Sequence, residues 1–242
     1  VVAIWGLGWV AGRAVALEIP PATAAWIRYA VASACLLSYM VYSTRLEVYA
    51  DFATRVRLPE KGDLRRLLII AFFSTALYQL FFMTGMARTA AGDASLIITL
   101  NPVFTAILAI PLLGRRMTLR LALGLAIGAA GVAVVTGWSP NVDIPFETRI
   151  IGDALIMFAA AAWATSTNLV KRLLETPEER LRPAPSPLSI IVWASFFGWL
   201  MLLPLVLYEF LEFGWVTPST EIWGWILFLA IFSTVLSYVW FA

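Results

Sequence analysis

Histidine is absent from this 242-residue chain. That removes the commonest metal ligand and the usual proton shuttle near neutral pH. The one cysteine, Cys35, lies in an apolar run, so the chain has no disulfide framework. Charge is scarce too: 13% of residues are Asp, Glu, Lys or Arg, where a soluble domain carries about a quarter. No Gly-x4-Gly-Lys-Ser/Thr pattern occurs, so no phosphate-cradling loop couples the chain to ATP. Short runs of alternating polarity are missing, which argues against a membrane β-barrel. Clustered acidic groups at membrane depth are also missing, which argues against a membrane-embedded enzyme. No filter or ring of charge of the kind a channel uses is recognisable. The sequence calls for no cofactor and no metal. Its net charge of +2 points to no nucleic-acid partner, because most basic residues sit between apolar runs.

What is present is apolar. Hydrophobic residues make up 61% of the chain, and the mean hydropathy is +0.86. Eight runs approach the roughly 20 residues needed to cross a bilayer. They are Val1–Leu17, Ala22–Tyr42, Leu67–Ala87, Ala94–Leu113, Leu121–Gly137, Ile151–Val170, Leu188–Tyr208 and a run from Glu221 to the last residue, Ala242. Each is expected to be helical, because unpaired backbone groups are too costly in lipid. The fold class is therefore an all-α transmembrane bundle, embedded in a lipid bilayer. The turn between spans four and five, Gly114–Arg120, is short enough to hold them antiparallel and carries three Arg.

Orientation follows from the loops. Alternating spans put Ser43–Arg66, Gly114–Arg120 and Lys171–Pro187 on one side, and these hold 13 of the 17 basic residues. Short basic loops stay cytoplasmic. The N-terminus is thus expected in the cytoplasm of a multi-pass protein of the cell membrane.

The chain also resembles itself. Trp5 and Arg13 recur as Trp163 and Lys171, 158 positions on, and Phe73-Ser74-Thr75-Ala76-Leu77 recurs as Phe232-Ser233-Thr234-Val235-Leu236, 159 positions on. The repeat unit holds five spans, with residues 1–142 as the first copy and 150–242 as the second, broken off after its third helix. An odd number of spans inverts the second copy about an axis in the membrane plane, as in many secondary transporters. Continuing the offset predicts two further spans, about 55 to 60 residues, beyond Ala242.

Several intramembrane residues are candidates for function. Arg13 and Arg28 are expensive in lipid, at roughly 3 kcal/mol on insertion scales, and are expected to face the interior. They meet substrate, or they snorkel to the outer interface or pair with Glu18 or Asp153. Asn101-Pro102 interrupts span four and frees a backbone carbonyl, giving either a cavity-lining hinge or a structural kink. Trp5, Tyr78, Gln79, Trp163, Thr167 and Asn168 offer stacking and hydrogen bonds to a metabolite, or they pack helices. Gly124, Gly128 and Gly131 allow close helix approach, within the fold or in a homodimer seam. Asp93 and Asp153 suit helix N-termini better than proton coupling.

Trp5-Gly6 with Arg13, Pro20, Arg28, Tyr78-Gln79, Ala94-Ser95-Leu96-Ile97, Asn101-Pro102, Leu113-Gly114, Thr118, Gly124 and Gly131-Val132 carry a resemblance. So do Gly152-Asp153, Trp163 and Lys171 in the second copy. On these residues the chain resembles the drug/metabolite transporter superfamily, specifically the EamA-type ten-helix permeases. Where that family commonly has a Glu after span four, this chain has Arg115 following Gly114. The resemblance implies export or exchange of small metabolites, often amino acids, through a central cavity. A secondary transporter working by alternating access is the expected function. A channel-like or scaffold membrane protein is the alternative.

Overall fold

The computed structural model describes residues 2–45, 58–59, 61–137, 143–175 and 185–241. Most of the first basic loop, Trp138 with the start of the central connector, and the middle of the Lys171–Pro187 segment lie outside the described residues. Within them the chain forms eight helices and no strand. These are α1 (Val2–Glu18), α2 (Pro21–Arg45), α3 (Lys61–Met86), α4 (Ala91–Leu113), α5 (Leu119–Gly137), α6 (Phe146–Leu174), α7 (Pro187–Phe213) and α8, from Thr220 to Phe241. Six of them, α2, α3, α4, α6, α7 and α8, are long and apolar enough to cross a membrane, and α1 and α5 are shorter apolar helices. The protein is a multi-pass, all-α membrane bundle.

The helices run past the apolar stretches that announce them. Span six reads as Ile151–Val170, but α6 extends over Phe146–Leu174, because backbone bonding continues where hydropathy falls off. The same extension puts Glu209 inside α7 rather than in a loop. Its buried carboxylate accepts from the Ala22 and Thr23 amides at 2.8 and 2.7 Å and from the Thr23 hydroxyl at 2.8 Å. It thus supplies acceptors to the unpaired amides at the start of α2. Glu18 does the same at the start of α8, accepting from the Ser219 amide at 2.6 Å.

Three helices are irregular. In α4 a 3₁₀ turn, Ile98–Leu100, precedes Asn101, and Pro102 lies in the first turn of the following helix. Pro102 has no N–H to donate, so the tighter turn before it carries the chain across the break. In α3 the segment Phe72–Leu77 is π-helical, and in α8 so is Phe228–Leu236. Each π segment contains the Phe-Ser-Thr block that recurs in the sequence.

Packing is reciprocal. α2 lies against α7, α3 against α6 and α7, and α8 against α1 and α2. Gly198 of α7 is the tightest crossing: a Cβ there would lie 2.2 Å from the Thr75 Cβ. α5 rests mainly on α4. Of its glycine face, Gly128 approaches Val103, while Gly124 and Gly131 face open space.

Candidate functional site

Six of the residues singled out in the sequence converge. Trp5 from α1, Arg28 from α2, Tyr78 and Gln79 from α3, Asn101 from α4 and Trp163 from α6 line one cavity of about 170 Å³. The helices bring them there because each is polar or amphipathic within an apolar span, and the interior is where such groups are least costly.

Arg28 dominates the chemistry. It is 8% exposed. Its Nη2 donates to the Thr234 hydroxyl at 2.9 Å and its Nη1 to Gln79 Oε1 at 3.5 Å. The guanidinium carbon lies 5.5 Å from the centre of the Tyr29 ring. All these partners are neutral, and among the described residues Nε has no hydrogen-bond partner. Burying a cation among neutral groups is costly unless a counter-charge arrives. Gln79, wholly buried, is held by a bond from its Nε2 to the Tyr29 hydroxyl at 3.3 Å. Asn101 contributes a buried Oδ1 that also lacks a partner among the described residues.

The remaining wall is aromatic. Trp163 lies between Tyr78, with ring centres 5.3 Å apart, and Tyr238, stacked at 6.3 Å. Tyr238, Trp9 and Ser233 also line the cavity, and of these the sequence marks only Ser233, as part of the recurring Phe-Ser-Thr block. Tyr238 stands 159 positions after Gln79, the same offset as between the two Phe-Ser-Thr blocks.

A second, larger cavity of about 580 Å³ adjoins the first. Pro102, Thr167 and Asn168 line it, Asn101 and Trp163 border both spaces, and Arg115, Arg116 and Lys171 form its basic rim. Thr167 donates to the Trp163 carbonyl at 3.0 Å, and Asn168 to the Thr105 carbonyl at 3.0 Å. Both polar groups are thereby occupied within the bundle. Lys171 pairs with Glu175 at 3.5 Å.

Arg13 lies apart from both cavities and donates to the Met86 carbonyl at the end of α3. It takes this backbone acceptor in place of either expected carboxylate, Glu18 or Asp153. Asp93 stands in the first turn of α4 and pairs with Arg149 at 3.3 Å. Asp153 lies two turns inside α6, not at its start, and accepts a hydrogen bond from Thr89.

Comparison with known proteins gives a consistent result. Residues 1–137 match the EamA-like transporter family. The chain is 25% identical over 243 residues to the uncharacterized transporter YetK of Bacillus subtilis, across 99% of this chain and 68% of that protein. It is 29% identical over 178 residues to a probable terminal-alkyne amino-acid exporter of Streptantibioticus cattleyicolor, across 74% of this chain and 55% of that protein. A probable amino-acid metabolite efflux pump of Salmonella typhimurium is 26% identical over 246 residues, across 98% of this chain and 73% of that protein.

Proposed function

The chain belongs to the EamA-like transporter family and is a transporter of small metabolites, and from that premise we propose that it carries neutral amino acids or close zwitterionic relatives by alternating access. The observation that carries this reading is Arg28, a buried cation on a cavity wall whose partners among the described residues are all neutral and whose Nε has none there. A substrate carboxylate supplies its counter-charge through a charge-assisted pair. Asn101 Oδ1, an acceptor on the same cavity with no partner among the described residues, takes the substrate ammonium. The rings of Tyr78, Trp163 and Tyr238 receive the apolar side chain. Two relatives bear names of amino-acid or amino-acid metabolite exporters, which agrees with this chemistry.

The inverted repeat supports the transport cycle. The two π segments fall on the recurring Phe-Ser-Thr blocks. If α1, α2 and α3 correspond to α6, α7 and α8, then α2 packing on α7 is a pairing of counterparts. The pairs α1–α8 and α3–α6 are then exchanged by the axis. Rocking one half against the other opens such a seam to alternate sides. With the N-terminus in the cytoplasm, the basic-rimmed cavity opens inward, and Asn101 and Trp163 form the partition between it and the central site. The cell membrane is the proposed location.

Competition distinguishes this reading. In proteoliposomes, uptake of radiolabelled L-phenylalanine is expected to be inhibited at least tenfold more weakly by phenethylamine, which lacks the carboxylate, than by unlabelled L-phenylalanine. 3-Phenylpropionate, which lacks the ammonium, is expected to fall between them. Equal inhibition by phenethylamine would remove Arg28 from the binding role.

A further inference from the structure

We propose that Thr234 is a positioning residue for Arg28, and that through it occupancy of the central cavity sets the hydrogen-bond register of α8. The inference rests on the substrate reading above, in which Arg28 takes an anionic group.

Thr234 is fully buried and is not among the residues lining the cavity. Its hydroxyl has one proton, which it donates to the Leu229 carbonyl five residues back, at 2.9 Å. The same oxygen accepts from Arg28 Nη2 at 2.9 Å. A second lining residue holds the same segment: Trp5 Nε1 donates to the Ser233 carbonyl at 3.1 Å. The π-helical stretch of α8 is therefore tied at adjacent residues by two side chains of the cavity wall. In α3 the corresponding hydroxyl, on Thr75, is instead directed to the Ala194 carbonyl of α7 at 3.3 Å.

The free edge of Arg28 explains how an occupant acts on Thr234. Nε and Nη2 form one side of the guanidinium fork, the side that meets a carboxylate with two parallel bonds. Nε is unpartnered among the described residues and Nη2 is bonded to Thr234. Nη2 carries two N–H groups, so a carboxylate that engages Nε and Nη2 shares Nη2 with the Thr234 oxygen, which holds the guanidinium in place for it. Drawing the guanidinium toward the carboxylate loads one of the two cavity ties on the π segment.

A π-helix closes its bonds one residue further along than an α-helix. Converting the segment to α-helical bonding would turn the end of α8 by about 100° and move it about 1.5 Å along the axis. That end carries Tyr238, which stacks on Trp163. Trp163 also borders the inner cavity. A register change in α8 thus reaches the partition between the two spaces, which is what a substrate-triggered rearrangement requires. π segments often mark functional sites inside helices.

The test uses the whole chain in proteoliposomes with L-phenylalanine as probe, and compares Thr234→Val with Thr234→Ser. Valine keeps the shape and loses the hydroxyl, and serine keeps the hydroxyl. Thr234→Val is expected to raise the half-saturation concentration about tenfold, with Thr234→Ser within about twofold of the parent. Hydrogen exchange supplies the readout that a merely structural role would not move. L-Phenylalanine is expected to change exchange across residues 228–241 at least fivefold in the parent and in Thr234→Ser, and not in Thr234→Val. Thr234→Ala replaces the valine variant if the latter is not monodisperse. Parent-like saturation and parent-like ligand-dependent exchange in Thr234→Val would overturn the proposal, as would equal impairment in valine and serine variants. Failure of the substrate reading looks different: Arg28→Gln would then transport as the parent does.

Discussion

Replacing Arg28 with Gln is expected to lower kcat/KM for L-phenylalanine transport about a hundredfold, roughly 2.8 kcal/mol at 1.4 kcal/mol per factor of ten. Hydrogen bonds to charged groups contribute about 1.5–3 kcal/mol each, so loss of a paired carboxylate contact accounts for an effect of that size. Glutamine is shorter and neutral but still polar, so no uncompensated charge is left behind. The variant should therefore insert normally and unfold at or above the denaturant concentration of the parent, because a buried cation among neutral groups is itself unfavourable. Arg28→Lys keeps the charge but loses the planar fork and should fall between the two. The measurement is initial uptake rate against concentration in proteoliposomes, paired with unfolding of the same preparations. A large loss of stability together with the loss of transport would make Arg28 a structural residue.

The second large effect is on folding. A Cβ at Gly198 would sit 2.2 Å from the Thr75 Cβ and 2.6 Å from its Cγ2. Atoms that close must separate, and Gly198 faces the π segment of α3 near the middle of α7. Overpacking costs about 1–3 kcal/mol, occasionally more. Gly198→Ala is expected at the top of that range, about 3 kcal/mol, in unfolding by dodecyl sulfate from mixed micelles. Adding Thr75→Gly removes the opposing Cβ and should restore at least half of the loss. No recovery in the double variant would mean the two helices do not meet at this crossing.

How much of this was legible in the sequence depends on what each feature costs in lipid. The eight spans were legible because apolar length is what a bilayer selects. Their ends were not, because α6 and α7 continue as helices into polar sequence that hydropathy discounts. Asn101-Pro102 announced its break, since a missing N–H has a local consequence. The π segments announced nothing: Phe-Ser-Thr suits an ordinary helix equally well, and only the bonding register distinguishes the two.

The candidate site was legible for the same reason as the spans. A cation or amide within an apolar run must face inward, and Arg28, Gln79 and Asn101 do reach one cavity. Arg13 satisfies that rule differently, at a backbone carbonyl of Met86, which no sequence spacing specifies. Thr167 and Asn168 line the neighbouring space with their polar groups already bonded to the bundle. Tyr29 carries no such signal, because a tyrosine beside an arginine in an apolar run reads as packing. Here it holds Gln79 and lies under the guanidinium.

The central claim is that a small zwitterion crosses by binding one site exposed to each side in turn. Counterflow tests it most directly: proteoliposomes containing the parent chain are loaded with millimolar unlabelled L-phenylalanine and diluted into micromolar labelled L-phenylalanine. A carrier of this kind gives a transient accumulation of label above equilibrium that saturates with concentration and disappears in Arg28→Gln. Label entry that rises linearly with concentration, with no overshoot, would contradict it.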